Sequence, residues 1–325
     1  MNRIVSLASL ETAAQHVHAV LPATPQYSWP LLSARVGAKV WVKHENVLPV
    51  GAFKVRGGVF LMSQLKAAGV RGVIAATRGN HGQSIAFAAR RLDMRAVIVV
   101  PKGNSEDKNR AMRGWGAELI EHGHDFQAAL EHAEKIASVQ KLHFVPSFSL
   151  ELVQGVASYA LEFFHGAGRL DSVYVPIGLG SGICGLIFAR DALKLDTEII
   201  GVVAEQAPCY ALSFQAHKAI STEHADTLAD GIACRIPNAD ALAIILKGAA
   251  RIVTVSEAEI RAAMRYYFTD THHVAEGAGA APLAAALKER MALNKKRNRI
   301  GLILSGGNVD SALFASTLSE CITGE

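Results

Sequence analysis

Val40-Trp41-Val42-Lys43-His44-Glu45-Asn46 runs into Val47-Leu48-Pro49-Val50-Gly51-Ala52-Phe53-Lys54-Val55-Arg56-Gly57-Gly58. An apolar strand meets a Pro/Gly turn, and the turn delivers one lysine, Lys54, to the start of a helical stretch. Helix-N-terminal dipole charge and apolar neighbours both favour a neutral amine there and lower its pKa. A neutral, desolvated lysine is what Schiff-base chemistry needs. The competing reading is an exposed first-turn lysine, and the surrounding chain decides between the two.

Upstream, residues 7–20 read as a helix and 39–43 as a short strand. Downstream, a helix over 60–68 closes at Gly69. Strands over 73–77, 96–100, 118–121 and 143–145 then alternate with helices over 81–91, 106–115 and 126–139. The alternation resumes with helices over 151–165 and 183–193 and strands over 172–177, 199–204 and 252–255. Ser256-Glu257-Ala258-Glu259 opens a further helix with a capping box. A helix over 280–291, a strand over 300–304 and a helix from Asp310 complete the pattern; 206–237 is less regular. Short apolar strands without clean polar alternation fit parallel sheets buried on both faces, and strand-helix alternation implies βαβ units. The predicted fold is α/β and doubly wound, with its chemistry at the carboxyl ends of the strands.

The chain has 325 residues, half of them hydrophobic, enough for a large core in one domain or two unequal ones. The formal charge of +4 is scattered. The one compact basic run, Lys295-Lys296-Arg297, reads as a solvated surface rather than a nucleic-acid site. Neither His272-His273 nor His122/His124 puts two ligands on one helix face, so no zinc motif is present. Cys184, Cys209, Cys234 and Cys321 form no CxxC and read as free thiols of a reducing compartment. No signal peptide or membrane span is evident, and a soluble, cytoplasmic protein is expected.

Four loops that follow strands are chemically unusual. The first carries Lys54. The second, Thr77-Arg78-Gly79-Asn80-His81-Gly82-Gln83, offers a Gly turn, an Asn cap and helix-start amides suited to a carboxylate. The third, Gly178-Leu179-Gly180-Ser181-Gly182-Ile183-Cys184-Gly185, can form an anion nest for a phosphate. It also matches GxGxxG, but Glu198 and Glu205 are only loosely placed for a ribose. A monophosphate cradle is the simpler reading. The fourth, Leu304-Ser305-Gly306-Gly307-Asn308-Val309-Asp310, suits close approach of a flat ligand. A Schiff-base lysine, a monophosphate cradle and a flat-ring partner together point to pyridoxal 5′-phosphate (PLP).

With these residues in view, the sequence resembles the tryptophan-synthase-β-like (fold type II) PLP enzymes over about residues 20 to 312. The serine/threonine dehydratase and serine racemase branch is the nearest. The resemblance is carried by Lys43-His44-Glu45-Asn46, Gly51-Ala52-Phe53-Lys54-Val55-Arg56-Gly57, Gly79-Asn80-His81-Gly82-Gln83, Val175-Pro176-Ile177-Gly178-Leu179-Gly180-Ser181, Ala229-Asp230-Gly231 and Ser305-Gly306-Gly307-Asn308. It implies two doubly wound open-sheet domains: a large PLP-binding domain of residues 1–71 and 147–325, and a small substrate-binding domain of residues 72–146. It further implies that Lys54 forms the Schiff base and shuttles the Cα proton, with Ser305 at the pyridine nitrogen as the second catalytic residue. Phe53 would pack by the ring and Asn80 would hold its 3′ oxygen. Gly178, Leu179, Gly180, Ser181 and Gly182 would cradle the phosphate, and Glu276 joins the cofactor-binding set. Thr77, Arg78, Gly79, Asn80 and His81 would receive the substrate carboxylate, with Phe148 near its side chain. A homodimer is implied as well.

Departures from the family pattern refine the expectation. Val50-Gly51-Ala52 stands where Thr-Gly-Ser is usual. Arg78 stands where racemases carry a serine acid/base, and a guanidinium cannot take that role. Glu205 matches one ligand of the family's divalent-cation site, but Ala211 replaces a second carboxylate, so no metal is expected. The apolar segment Val145-Pro146-Ser147-Phe148-Ser149-Leu150 points to a bulky 3-hydroxy amino acid such as 3-phenylserine, or else Phe148 is core. The short helix after Asn308 leaves no regulatory domain to expect. The predicted activity is a PLP-dependent dehydratase, an ammonia-lyase turning a 3-hydroxy amino acid (serine, threonine or a bulkier one) into a 2-oxo acid and ammonia. Racemisation or β-replacement on the same cofactor is the alternative, and a non-catalytic amino-acid-binding protein the third reading.

Overall fold

The computed structural model describes residues 5–296 and 298–320. Arg297 of the basic run and Cys321 lie outside the described residues. Helix α1 (Leu7–His18) starts where the Ser6 side chain accepts a bond from the amide of Ser9. Strand β1 (Gln26–Ser28), helix α2 (Pro30–Val36) and strand β2 (Lys39–His44) follow. Helix α3 (Lys54–Ala67) begins at the lysine itself, not at residue 60. Gly57 and Gly58 are weak helix formers and mask its first turns in the sequence. They belong in the helix because it packs very closely on α7 (Leu150–Ala167): a Cβ on Gly57 would lie 2.8 Å from the carbonyl of Leu152, and one on Gly155 would lie 2.7 Å from that of Arg56.

Between those helices come β3 (Gly72–Ala76), α4 (Asn80–Arg91), β4 (Arg95–Val100), α5 (Glu106–Gly114), β5 (Glu118–Glu121), α6 (Phe126–Gln140) and β6 (His143–Phe144). Their strands form a four-stranded parallel sheet in the order β5-β4-β3-β6. After α7 come β7 (Ser172–Pro176), α8 (Ser181–Ala192), β8 (Glu198–Ala204), α9 (Cys209–Ala216), α10 (Ala239–Gly248), β9 (Arg251–Val255), α11 (Glu257–Thr271), α12 (Gly277–Lys288), α13 (Arg290–Lys296), β10 (Arg299–Leu304) and α14 (Ser311–Ser319). The second sheet is six-stranded, β1-β2-β10-β7-β8-β9, parallel except for β1 against β2.

Both sheets are covered on both faces. Successive side chains of a strand point to opposite sides. Val173 and Val175 enter one core while Tyr174 enters another; Val73 and Ala75 part from Ile74 and Ala76 in the same way. The expected doubly wound α/β fold in two parallel open sheets is therefore the fold observed. Elements not foreseen are β1, α2, α9, α10 and α13, together with short 3-10 turns at Glu45–Val47 and Asp230–Ile232. Cys184, Cys209 and Cys234 are buried free thiols.

A charged cluster is sealed under α3. Arg56 is fully buried and donates to Glu45 (Nε–Oε2, 2.6 Å) and to Glu162 (Nη1–Oε1, 2.6 Å). Lys43, also fully buried, meets the other oxygen of Glu162 at 2.5 Å. Two cations face two carboxylates, so every buried charge has an opposite partner.

Candidate active site

Strands β2 and β10 are neighbours in register, so the loops beyond them meet. Ala52 pairs with Gly306 across an antiparallel bridge, the amide of Phe53 donates to the Ser305 carbonyl at 3.0 Å, and that of Gly307 donates to Gly51 at 2.9 Å. This places Lys54 and Ser305, far apart in sequence, on one wall. Lys54 Nζ donates to Ser181 Oγ at 2.8 Å. Its side chain is partly open to the cleft, yet burial lowers the ammonium from 10.5 to about 8. The Phe53 ring centroid lies 5.3 Å from Nζ, and Tyr159 holds that ring edge-on.

The third loop turns directly into α8. Gly180 has φ +100, a left-handed conformation that glycine adopts without strain. A Cβ on Gly178 would lie 2.4 Å from the carbonyl of Gly231. The Tyr210 hydroxyl donates to the Leu179 carbonyl at 3.1 Å and pins the loop. The opening amides of a helix lack intrahelical partners; with Gly182, Ser181 Oγ and Lys54 they make an anion cradle. The dinucleotide reading fails, because its candidate acids are engaged elsewhere. Glu198 starts β8, at the opposite end of the strand from the cradle, and meets Arg251 at 3.2 Å; Glu205 meets Lys288 at 3.3 Å. A protein cation thus sits on Glu205, and among the described residues no three metal-ligating side chains gather.

The second loop differs from expectation in one respect. Gly79, not Asn80, is the N-cap of α4, and its φ of 176 is ordinary extended backbone. Gly79 is small because Lys108 crosses it: a Cβ there would lie 2.8 Å from Lys108 Cδ. Asn80 spends its side chain across the cleft. Its Nδ2 donates to Glu276 Oε1 at 2.8 Å, and its Oδ1 accepts from Asn308 Nδ2 at 2.8 Å. Thr77 Oγ1 accepts from the amide of Gly79 at 3.0 Å and closes the loop. Arg78 is exposed. His81 is buried, and burial, followed by the charge of Lys54, lowers it to about 3, so the ring is neutral.

A cavity of about 260 Å³ opens beside this loop, with Arg78, Lys108, Asp230, Glu276, Asn308 and Asp310 on its wall. Lys54 and Ser305 do not line it; Asn80 links the two regions through Glu276 and Asn308. Lys108 forms an ion pair with Asp230, and Ser105 bonds Asp310. Glu276 is 3% exposed, and burial is the main cause that raises its carboxyl to about 7. Phe148 packs in the core with Leu10, Ala14 and Val153, off the cavity wall. Lys108 carried no signal in the sequence, since it follows Glu106-Asp107 in an ordinary charged helix whose partner Asp230 is remote in the chain. Asn308 and Asp230 lay within recognisable motifs, but only the fold shows what they bind.

Comparison with known proteins agrees with this geometry. The chain is 31% identical over 324 residues to the biosynthetic L-threonine dehydratase of Pasteurella multocida, covering 97% of this chain and 63% of that protein. It therefore spans just under two thirds of the length of such relatives. It is 32% identical over 310 residues to the L-threo-3-hydroxyaspartate ammonia-lyase of a Pseudomonas species, covering 94% of this chain and 96% of that one. The solved structure of the processed form of threonine deaminase isoform 2 from Solanum lycopersicum superimposes with a TM-score of 0.89 at 27% identity, covering 97% of this chain and 95% of that one. The family model described as pyridoxal-phosphate dependent enzyme matches residues 20–306, and the chain belongs to that family.

Proposed function

We propose that this protein is a PLP-dependent ammonia-lyase that removes water from a small polar 3-hydroxy amino acid, yielding a 2-oxo acid and ammonia. The observation that carries the reading is Lys54: an amine lowered to about 8, bonded to Ser181 at the mouth of an anion cradle. The site's donor chemistry fits PLP. Unused helix-start amides and Ser181 suit its phosphate, Asn80 its 3′ oxygen, Ser305 its ring nitrogen, Phe53 its ring face and Lys54 its aldehyde. Bound there, the cofactor would supply an electron sink for Cα.

The chain's own residues divide the remaining work. Backbone amides of Asn80 and His81, in a loop that the Gly79 amide closes onto Thr77, orient the α-carboxylate. Neutral Lys54 takes the Cα proton as general base. Loss of the β-hydroxyl gives an unsaturated amine that hydrolyses to the 2-oxo acid and ammonia. Racemisation is disfavoured, because the acid/base needed on the opposite face would have to be the exposed, permanently charged Arg78. The polar cavity favours serine, threonine or 3-hydroxyaspartate over an aryl substrate, since Phe148 is in the core and the wall carries arginine, lysine and carboxylates.

The division into a large domain of 1–71 and 147–325 and a small domain of 72–146 is proposed with this function, supported by the two separate sheets. A homodimer and a cytoplasmic location belong to the same proposal. Among the described residues no helix is long and apolar enough to cross a membrane.

The decisive test is Lys54→Ala. The variant is expected to lose both the cofactor's absorbance band and 2-oxo acid formation; a variant that keeps both overturns the reading. Ammonia release from serine, threonine, 3-hydroxyaspartate and 3-phenylserine ranks the substrates.

A further inference from the structure

We propose that Glu276 is the acid that protonates the departing β-hydroxyl, an assignment that rests on the dehydratase reading above. Glu276 precedes α12 as its N-cap, yet its side chain makes no bond to that helix. It faces the cleft instead and lines the cavity beside the Gly79 loop. Oε1 accepts from Asn80 at 2.8 Å and the backbone amide of Asn308 faces the carboxyl, whereas Oε2 is buried and makes no hydrogen bond of ordinary geometry among the described residues. A bare buried carboxylate oxygen is costly, and a protonated one is a donor in search of an acceptor.

The backbone makes room for this carboxyl. A Cβ on Gly306 would lie 2.5 Å from Oε1, and one on Gly231 would lie 3.7 Å from it. The charged groups that face Glu276 are Lys108, which favours the anion, and Asp230, which opposes it; burial outweighs both and raises the carboxyl to about 7. The acid is thus present at neutral pH and is separate from the base, Lys54.

The protons balance. Lys54 takes the Cα proton, and that bond's electron pair becomes the Cα=Cβ bond. The Cβ–O pair leaves with oxygen, which takes the Glu276 proton and departs as water. Glu276 regains a proton from solvent through the cavity, and Lys54 releases to solvent the proton it took from Cα. No oxidant or reductant is required.

The test compares the cofactor-loaded wild type with Glu276→Gln on serine or threonine and on 3-chloroalanine, whose chloride leaves without a proton. The variant should lose about a hundredfold or more in kcat on the hydroxy substrate and at least about tenfold less than that on 3-chloroalanine, the shared part of the loss being the disturbed contact with Asn80. Equal loss on both, or loss on neither, overturns the assignment. A second measurement is independent of turnover: infrared difference spectra of the wild-type holoenzyme between about pH 6 and about pH 8 should show a buried protonated carboxyl that E276Q lacks. Absence of that band from the wild type overturns the proposal. A wild type that releases ammonia from 3-chloroalanine but from no 3-hydroxy amino acid overturns the dehydratase reading itself.

Discussion

An amine that is half neutral near pH 8 needs a physical cause, and for Lys54 the cause is the company it keeps. Its bonded partner is an uncharged hydroxyl, and among the described residues no carboxylate pairs with it. Protonation therefore opposes folding. The folded pKa of about 8 lies below the ordinary 10.5, so between those values the unfolded chain holds a proton that the native one lacks. Stability of the cofactor-free protein should rise with pH across that window, and below about 8 the gain is absent. Lys54→Met should flatten this rise, measured as Tm against pH by calorimetry. The same scale explains Val50 and Ala52, which depart from the family pattern. Both are buried and act through their backbones: the Val50 carbonyl accepts from Asn308 at 2.7 Å, and Ala52 bridges Gly306. The lysine was legible because strand, turn and helix start are local signals; its hydroxyl partner was not, because Ser181 reaches it only through the fold.

At the scale of elements, Glu162 on α7 ties α3 and β2 together through Arg56 and Lys43. Those two cations hold its carboxyl down at about 2 despite burial, below the ordinary 4.5. Its contribution is fully present above about pH 4.5 and is lost as pH falls through about 2. Glu162→Ala leaves two buried cations short of a partner and should cost about 3–5 kcal/mol, read from urea unfolding at neutral pH. Legibility at this scale followed physics too. The buried parallel strands announced themselves as apolar runs. The edge strand β1 is three residues with Tyr27 half exposed, so it offered no run to read. The helix α10 had a signal that passed unused: Asn238 accepts from the amide of Ala241 at 3.0 Å, a cap placed right after Pro237.

At the scale of the whole molecule, the cleft is spanned by polar contacts between the two sheets' surroundings. Lys108 to Asp230, Ser105 to Asp310 and Asn80 to Glu276 each join the 72–144 region to the rest. Asp230→Asn should weaken this closure more than the chemistry. A rise of about fivefold in KM, near 1 kcal/mol, is expected from steady-state kinetics, with a smaller fall in kcat because Asp230 helps keep Glu276 protonated. Such pairings join residues remote in the chain, so they could not be read from it, whereas the strand-end loops that they serve could.

The place of β10 has a further consequence, in the order of biosynthesis. It is the last of the described strands to be made, yet it lies inside the six-stranded sheet, between β2 and β7. On the ribosome, Lys54 emerges early and waits: neither the sheet nor the wall that carries Ser305 can close until Leu304 has left the exit tunnel. A nascent chain stalled before that point holds the Lys54 side chain but not the wall beside it, so the burial that lowers its amine is an event of the completed fold.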